Sequence, residues 1–275
     1  MPNYHTRTIP EGQGPARLEA ILAAARERAE GLKVHRAELE RQAAAAPDPA
    51  AFGTALIRGA VGVIAEIKRR SPSAGELNAG LDARAQAALY QGAGAAAISV
   101  LTDGPWFGGS LADLEAAAQQ VSVPLLRKDF IVSEEQLLEA RIAGASAALL
   151  IVRALEPGRL KELITFTADA GLDALVEVHA PDELRIALDA GARIVGANSR
   201  DLDTFRIDRG RALELVAAIP ADRIAVAESG MSLREDVERA ADAGADAVLV
   251  GTALSSAPAP GTALGALTGV PRRGR

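Results

Sequence analysis

Six polar side chains stand at or near the ends of apolar, β-rich runs, where a polar residue needs a chemical reason. Glu66 and Lys68 close VIAEIK (63–68), Lys128 lies in PLLRKD (124–129), Glu177 in ALVEV (174–178), Asn198 ends RIVGAN (193–198), and Glu228 lies in RIAVAES (223–229). Carboxylates and amines are the groups that give protons to a substrate and take them away. The lysines carry a further signal. The chain has 26 arginines but only four lysines, Lys33, Lys68, Lys128 and Lys161, so a compositional bias toward arginine has spared two positions that end apolar runs. Arginine stays protonated at any working pH, whereas burial can lower a lysine pKa until the amine gives up its proton. Lys68 and Lys128 are therefore read as proton-exchanging groups, with chance retention or a buried ion pair as the alternative.

These residues need a scaffold that brings strand ends together. AAISVL (96–101), AALLIV (147–152) and DAVLVG (246–251) complete a set of eight short β-rich runs, separated by helical segments such as SEEQLLEARIAG and LREDVERAADAG. Several of those segments finish in Ala-Gly, as a glycine helix cap requires. Apolar strands alternating with helices indicate an α/β protein with a helix-covered parallel sheet. Eight such units predict a (β/α)8 TIM barrel rather than an open doubly wound sheet, and no GxGxxG follows the first strand to favour the latter. Residues 16–46 are rich in Ala, Leu, Arg and Glu at helical spacing. An N-terminal helical extension is thus expected over residues 1–60, with the barrel over 61–270 as one catalytic domain.

In such a barrel the C-terminal strand ends face the mouth. Glu66 and Lys68, two apart on a strand, project from one face and should meet Lys128, Glu177, Asn198 and Glu228 there. Burying charge costs several kcal/mol per ion unless it is well paired, so a rim of charges built only for stability would be inefficient. Two loops point to the ligand. ESGM after the seventh strand and GTAL after the eighth offer Ser229, Gly230, Gly251 and Thr252, where phosphate sites of these barrels commonly lie. RRSPSAG after the first strand adds Arg69, Arg70 and Ser71, expected to close over the same anion, with a solvated basic loop as the alternative. Aromatic residues are 3% of the chain. Trp106, Phe107 and Phe130 follow strands two and three and are expected to pack a planar or apolar part of the substrate, with cover of a loop as the alternative. His179, two residues after Glu177, is read as structural.

Composition excludes other classes. The net charge of −6 without a long like-charge block argues against nucleic acid as a partner. The absence of cysteine rules out disulfides and thiolate chemistry. The opening MPNYHTRTIPEGQG has no signal-peptide core, and no apolar run approaches the roughly 20 residues that span a bilayer. A cytoplasmic protein without membrane attachment is expected, with a monomer favoured.

The succession IAEIKRRSPS, SVLTD, WFGGS, LLRKDFI, GASAALLIV, LVEVH, GANSRDL, AESG and LVGTAL, from about Val63 to Leu254, closely resembles the indole-3-glycerol-phosphate synthase family of tryptophan biosynthesis. The resemblance implies ring closure, decarboxylation and dehydration of 1-(2-carboxyphenylamino)-1-deoxyribulose 5-phosphate, with no metal and no organic cofactor. It further implies Lys128 as general acid for ring closure, Lys68 as carboxylate ligand or acid in dehydration, and Glu177 as general base. Glu66, Asn198 and Glu228 would orient the lysines and the substrate hydroxyls. Ser71, Ser229, Gly230, Gly251 and Thr252, with Arg200, would hold the phosphate. The chain departs from the family pattern at Ala74, where a lysine is frequent, at Ser255 and Ser256 after Leu254, and in a lysine missing from the first helix. These departures bear on loop closure and affinity rather than on reaction type. A phosphoribosylanthranilate isomerase-like enzyme and a non-catalytic paralogue that binds a phosphorylated metabolite are the rival readings. The first usually relies on a Cys or Asp pair, and the second has no use for the rim acids.

Overall fold

A computed structural model describes residues 15–71, 75–201 and 206–275. Eight parallel strands close on themselves: β1 Gly62–Ile67, β2 Ala97–Leu101, β3 Leu125–Lys128, β4 Ala147–Ile151, β5 Asp173–Val178, β6 Ile194–Asn198, β7 Ile224–Glu228 and β8 Ala247–Val250. Each pairs with its sequence neighbours, and β1 pairs with β8 to complete the barrel. The expected TIM barrel is thereby realised. Ala74, one of the departures from the family pattern, lies outside the described residues.

The period of two along each strand sorts its side chains between two cores. Val63, Ala65, Val100, Leu150, Val176, Val195, Ala227 and Val248 face outward into the layer of helices. Ile64, Leu126, Leu149, Leu175, Val226 and Leu249 fill the barrel interior. Each such buried aliphatic side chain contributes about 1.5–3 kcal/mol relative to exposure, which fixes the register. A one-residue slip would exchange the two sets. Further along the same inward rows stand Glu66, Glu177, Asn198 and Glu228, so the alternation that builds the core also aims the rim. The helices return to the barrel through turns in which the glycine of Ala-Gly takes the left-handed conformation, as at Gly144 (φ 85°) and Gly244 (φ 93°).

Among the described residues three α-helices precede the barrel: α1 Pro15–Leu32, α2 Arg36–Ala45 and the short α3 Phe52–Leu56. Phe52 and Leu56 of α3 are fully buried and join the inner cluster beside the start of β1. The α3 backbone is fixed by Gly53 N–H donating to Asp173 Oδ2 at 2.9 Å. At the opposite end Leu18, Ile21, Leu22 and Ala25 of α1 pack with Trp106, Phe130 and Ile151, so the first helix lies over part of the barrel mouth.

Arg28 locks α1 there. Its guanidinium reaches Asp103 Oδ2 at 3.3 Å after β2 and Asp129 Oδ1 at 3.2 Å after β3. Both carboxylates are almost wholly buried. Replacing Arg28 by methionine strands Asp103 in particular, whose pKa burial and the nearby Asp129 already push above 3.8. A loss of about 1–3 kcal/mol is expected, read by urea unfolding at neutral pH. The deficit should shrink toward acid pH, because protonation neutralises the abandoned carboxylate.

Candidate active site

The C-terminal ends of the strands open into a cavity of about 350 Å³. Its lining includes Glu66, Lys68, Lys128, Glu177, Asn198 and Glu228, so the six rim residues do converge. Lys128 is central. Its Nζ donates to Glu177 Oε2 at 3.2 Å and lies 3.7 Å from Glu228 Oε2. Across the mouth Lys68 Nζ sits 2.7 Å from Glu66 Oε1. Two ammonium groups thus meet three carboxylates over one small volume.

The electrostatics differ from the expectation of a lysine ready to lose its proton. Burial alone would lower the Lys128 pKa, but Glu177, Glu228 and Glu66 outweigh it and hold the ammonium above its ordinary value. Lys128 is therefore a loaded proton donor. Burial opposes ionisation of Glu177, yet Lys128, His179 and Asn198 overcome it and hold this carboxyl well below the usual range. Glu228 goes the other way. Burial first, then the charge of Glu177, pushes it up to about 8, and among the described residues neither of its oxygens has a hydrogen-bond partner. Its folded pKa exceeds the reference value of 4.5, so it binds a proton that the unfolded chain releases, and it erodes stability as pH rises between those values. Two carboxylates on one lysine have been driven apart, the pattern that separates acid from base roles.

The loops divide into ligand-facing and supporting parts. Ser71, Ser229, Gly230, Gly251, Thr252 and Arg200 all line the cavity. Ser229 (φ 63°) and Gly230 (φ 72°) both adopt left-handed backbone, and a non-glycine residue there is an outlier of the kind found at ligand-binding turns. Gly251 is needed for space, since a Cβ would lie 2.9 Å from Lys68 Nζ and would also strike Glu66. Burial lowers the Arg200 pKa from 12.5, opposed by Glu66. Arg69 and Arg70 do not line the cavity. Arg69 grips Asp113 with both nitrogens, at 2.6 and 2.7 Å, and Arg70 donates to the carbonyls of Gly104 and Pro105. They tie the loop after β1 to the segment after β2.

The aromatics divide too. Phe107 and Phe130 line the cavity with ring centroids 6.4 Å apart, facing Leu18 and Ile21 of α1. Trp106 does not line it. Its ring is buried in the inner cluster, and its backbone N–H is held by Asp103 Oδ1 at 2.8 Å. The residue after it, not Trp106, offers the apolar wall. His179, read as structural, stands between two carboxylates: Nδ1 lies 3.2 Å from Glu183 Oε2, and Nε2 lies 3.3 Å from Glu177 Oε1 without hydrogen-bond alignment. Sequence reasoning also missed Leu18, Ile21 and Arg209 of the lining, and Gly196, whose bare Cα faces Glu228.

Fold and rim together define a (β/α)8-barrel enzyme equipped for acid–base chemistry on a small anionic substrate. The profile of the indole-3-glycerol phosphate synthase family matches residues 18–267. The chain is 50% identical to the indole-3-glycerol phosphate synthase of Opitutus terrae over 81% of its length and 86% of that protein. It is 45% identical to that of Syntrophobacter fumaroxidans over 84% of its length and 88% of the relative. The chain belongs to the indole-3-glycerol phosphate synthase family, carboxy-lyases of tryptophan biosynthesis. Among solved structures, a 3-hexulose-6-phosphate synthase superposes with a TM-score of 0.60 at 15% identity, covering 75% of this chain and 98% of that one. That likeness is one of fold. No helix among the described residues is long and apolar enough to cross a membrane.

Proposed function

We propose that this cavity converts 1-(2-carboxyphenylamino)-1-deoxyribulose 5-phosphate into indole-3-glycerol phosphate, with Lys128 as general acid and Glu177 as general base. The observation that carries the assignment is the single Lys128 ammonium set between an ionised Glu177 and a proton-retaining Glu228 at the centre of the mouth. The aryl ring lies against Phe107, Phe130, Leu18 and Ile21, and the phosphate at Ser71, Ser229, Gly230, Gly251, Thr252 and Arg200. As the aryl carbon attacks the ketose carbonyl, Lys128 protonates the oxygen on which charge develops. Loss of CO2 returns the bonding pair to the ring system. The new hydroxyl then departs as water after receiving a proton, while Glu177 accepts the proton from the adjacent carbon.

The steps are coupled through charge. Once Lys128 has delivered its proton, a cation that depressed Glu177 is gone, so the base strengthens just before dehydration calls on it. Lys68, paired with Glu66, holds the substrate carboxylate and stands ready to protonate the departing hydroxyl. Asn198 and Glu228 bind the sugar hydroxyls. Steady-state turnover of the carboxyphenylamino ketose phosphate, followed by the absorbance and fluorescence of the indole product, tests the reading. Glu177→Gln, which keeps shape and loses basicity, should cut kcat about 10²–10⁴-fold with little change in KM. Wild-type protein without turnover of this substrate would defeat the whole proposal.

We place the protein in the cytoplasm, where biosynthesis on a phosphorylated intermediate takes place, and as a monomer. Among the described residues the exposed large apolar side chains, Val34, Ile57, Leu89, Ile207 and Leu233, fall on separate segments of the chain, which supports the monomer. Light scattering on the eluting protein tests the oligomeric state.

A further inference from the structure

His179 is absorbed by none of the roles above, yet it touches the proposed base. It follows β5 on the same inward row as Glu177, and its ring is only 6% exposed. Glu183, in the first turn of the helix Pro181–Asp189, accepts from the His179 backbone N–H at 2.6 Å and approaches Nδ1 at 3.2 Å with the same oxygen. Arg153, in the turn after β4, stands 3.6 Å from the other oxygen of Glu183 and 3.9 Å from Asp201 after β6. On the cavity side Glu177 meets Lys128 of β3, and Glu228 of β7 completes the group. Arg153, Glu183, His179, Glu177 and Lys128 thus form one row of alternating charge that runs from the back of the barrel rim into the cavity.

The chemistry of the row fixes the state of the ring. A neutral imidazole has one N–H and one lone pair. Set between two carboxylates, it would turn that lone pair toward an oxygen of one of them. Only the imidazolium is attracted to both carboxylates: Nε2 faces Glu177 Oε1 at 3.3 Å as a charge contact without hydrogen-bond alignment, and Nδ1 faces Glu183. We infer that His179 is a positioning residue, a standing cation held by Glu183 that keeps Glu177 ionised and its second oxygen on Lys128. The inference rests on the reading of Glu177 as base. Its consequence is that the Lys128 proton goes to the substrate and not to Glu177, because one cation, the imidazolium, still faces the carboxylate after Lys128 has become neutral. The shift of the imidazole points the same way: burial opposes the charge, but Glu177 and Glu183 carry it up to about 9.

The chain has three histidines, His5, His35 and His179, so nitrogen NMR of histidine-labelled protein resolves the ring directly. One imidazole is expected to remain doubly protonated at pH 8. Glu183→Gln keeps the acceptor for the backbone and removes the charge, so the midpoint of that imidazole should fall by about one unit or more. The alkaline limb of the kcat profile should move down by the same interval, with KM little affected, because Glu177 loses its cation where the ring loses its proton. His179→Asn should remove the titration and lower kcat across the range. The inference is overturned if no imidazole is doubly protonated at pH 8, a result that needs no variant. It is also overturned if the midpoint moves and the limb does not. Glu177→Gln separates the layers: full activity in that variant sinks the base assignment itself. An inactive Glu177→Gln beside an unmoved limb sinks only the role of His179.

Discussion

Lys128→Met is expected to retain its fold and to turn over about a thousandfold more slowly than wild type, within the range for loss of a general acid. The fall should lie in kcat, since the ammonium acts on charge that develops during ring closure and not on the resting substrate. Methionine matches the length of the lysine stem and fills the same inward slot at the end of β3. The substitution removes a buried cation, whose desolvation was costly, but leaves Glu177 and Glu228 facing each other. Glu177 loses the cation that held its pKa down and, beside a Glu228 that already retains a proton, takes up a second proton nearer to neutral pH. The sign follows: relative to wild type, the variant should gain stability as pH falls, because the folded state now binds more protons than the unfolded chain in the acid range. Thermal melts between neutral and mildly acid pH read this directly. Turnover within about tenfold of wild type would remove Lys128 from the acid role, whatever the melts show.

The barrel was legible because its strands obey one simple pattern. The run VIAEIK (63–68) became Gly62–Ile67, and PLLRKD (124–129) became Leu125–Lys128, differences of one residue at the ends. Polar residues closing apolar runs could be assigned to the mouth because strand ends in a closed parallel barrel share one rim. What stayed hidden depended on partners distant in the chain. Arg28 is one of several charges in ARERAEG and carries no local sign that separates it from Arg26; only the packing of α1 brings it to Asp103 and Asp129. Five-residue α3 is too short for a helical period to register. Arg69 and Arg70 looked like anion ligands because a basic loop beside an active site has that composition, and nothing in RRSPSAG announces Asp113. The direction of the Lys128 shift was hidden for a related reason. Burial was readable from the apolar run, but the number of carboxylates around Nζ is set by three other strands.

Gly196 was legible in principle and overlooked: a glycine inside a strand commonly marks a close approach. It lies on the inward row of β6, one step below Asn198, and Glu228 of the adjacent strand occupies the space that a side chain would take. A Cβ at 196 would lie 3.0 Å from Glu228 Cδ and closer still to Oε1. Gly196→Ala therefore forces Glu228 to move, toward Lys128 or outward into the cavity. Overpacking of this kind costs about 1–3 kcal/mol. Displacement of a substrate-orienting group by about 1 Å costs up to roughly 10²-fold in rate. The expected result is a folded variant with kcat/KM reduced by about that factor. Glu228→Asp provides the control, since its shorter side chain vacates the contested volume. In that background the added methyl should cost little stability, a large non-additivity for two residues in contact. Equal cost of Gly196→Ala in both backgrounds would mean that the methyl strikes something other than Glu228, and that the glycine serves the strand rather than the acid.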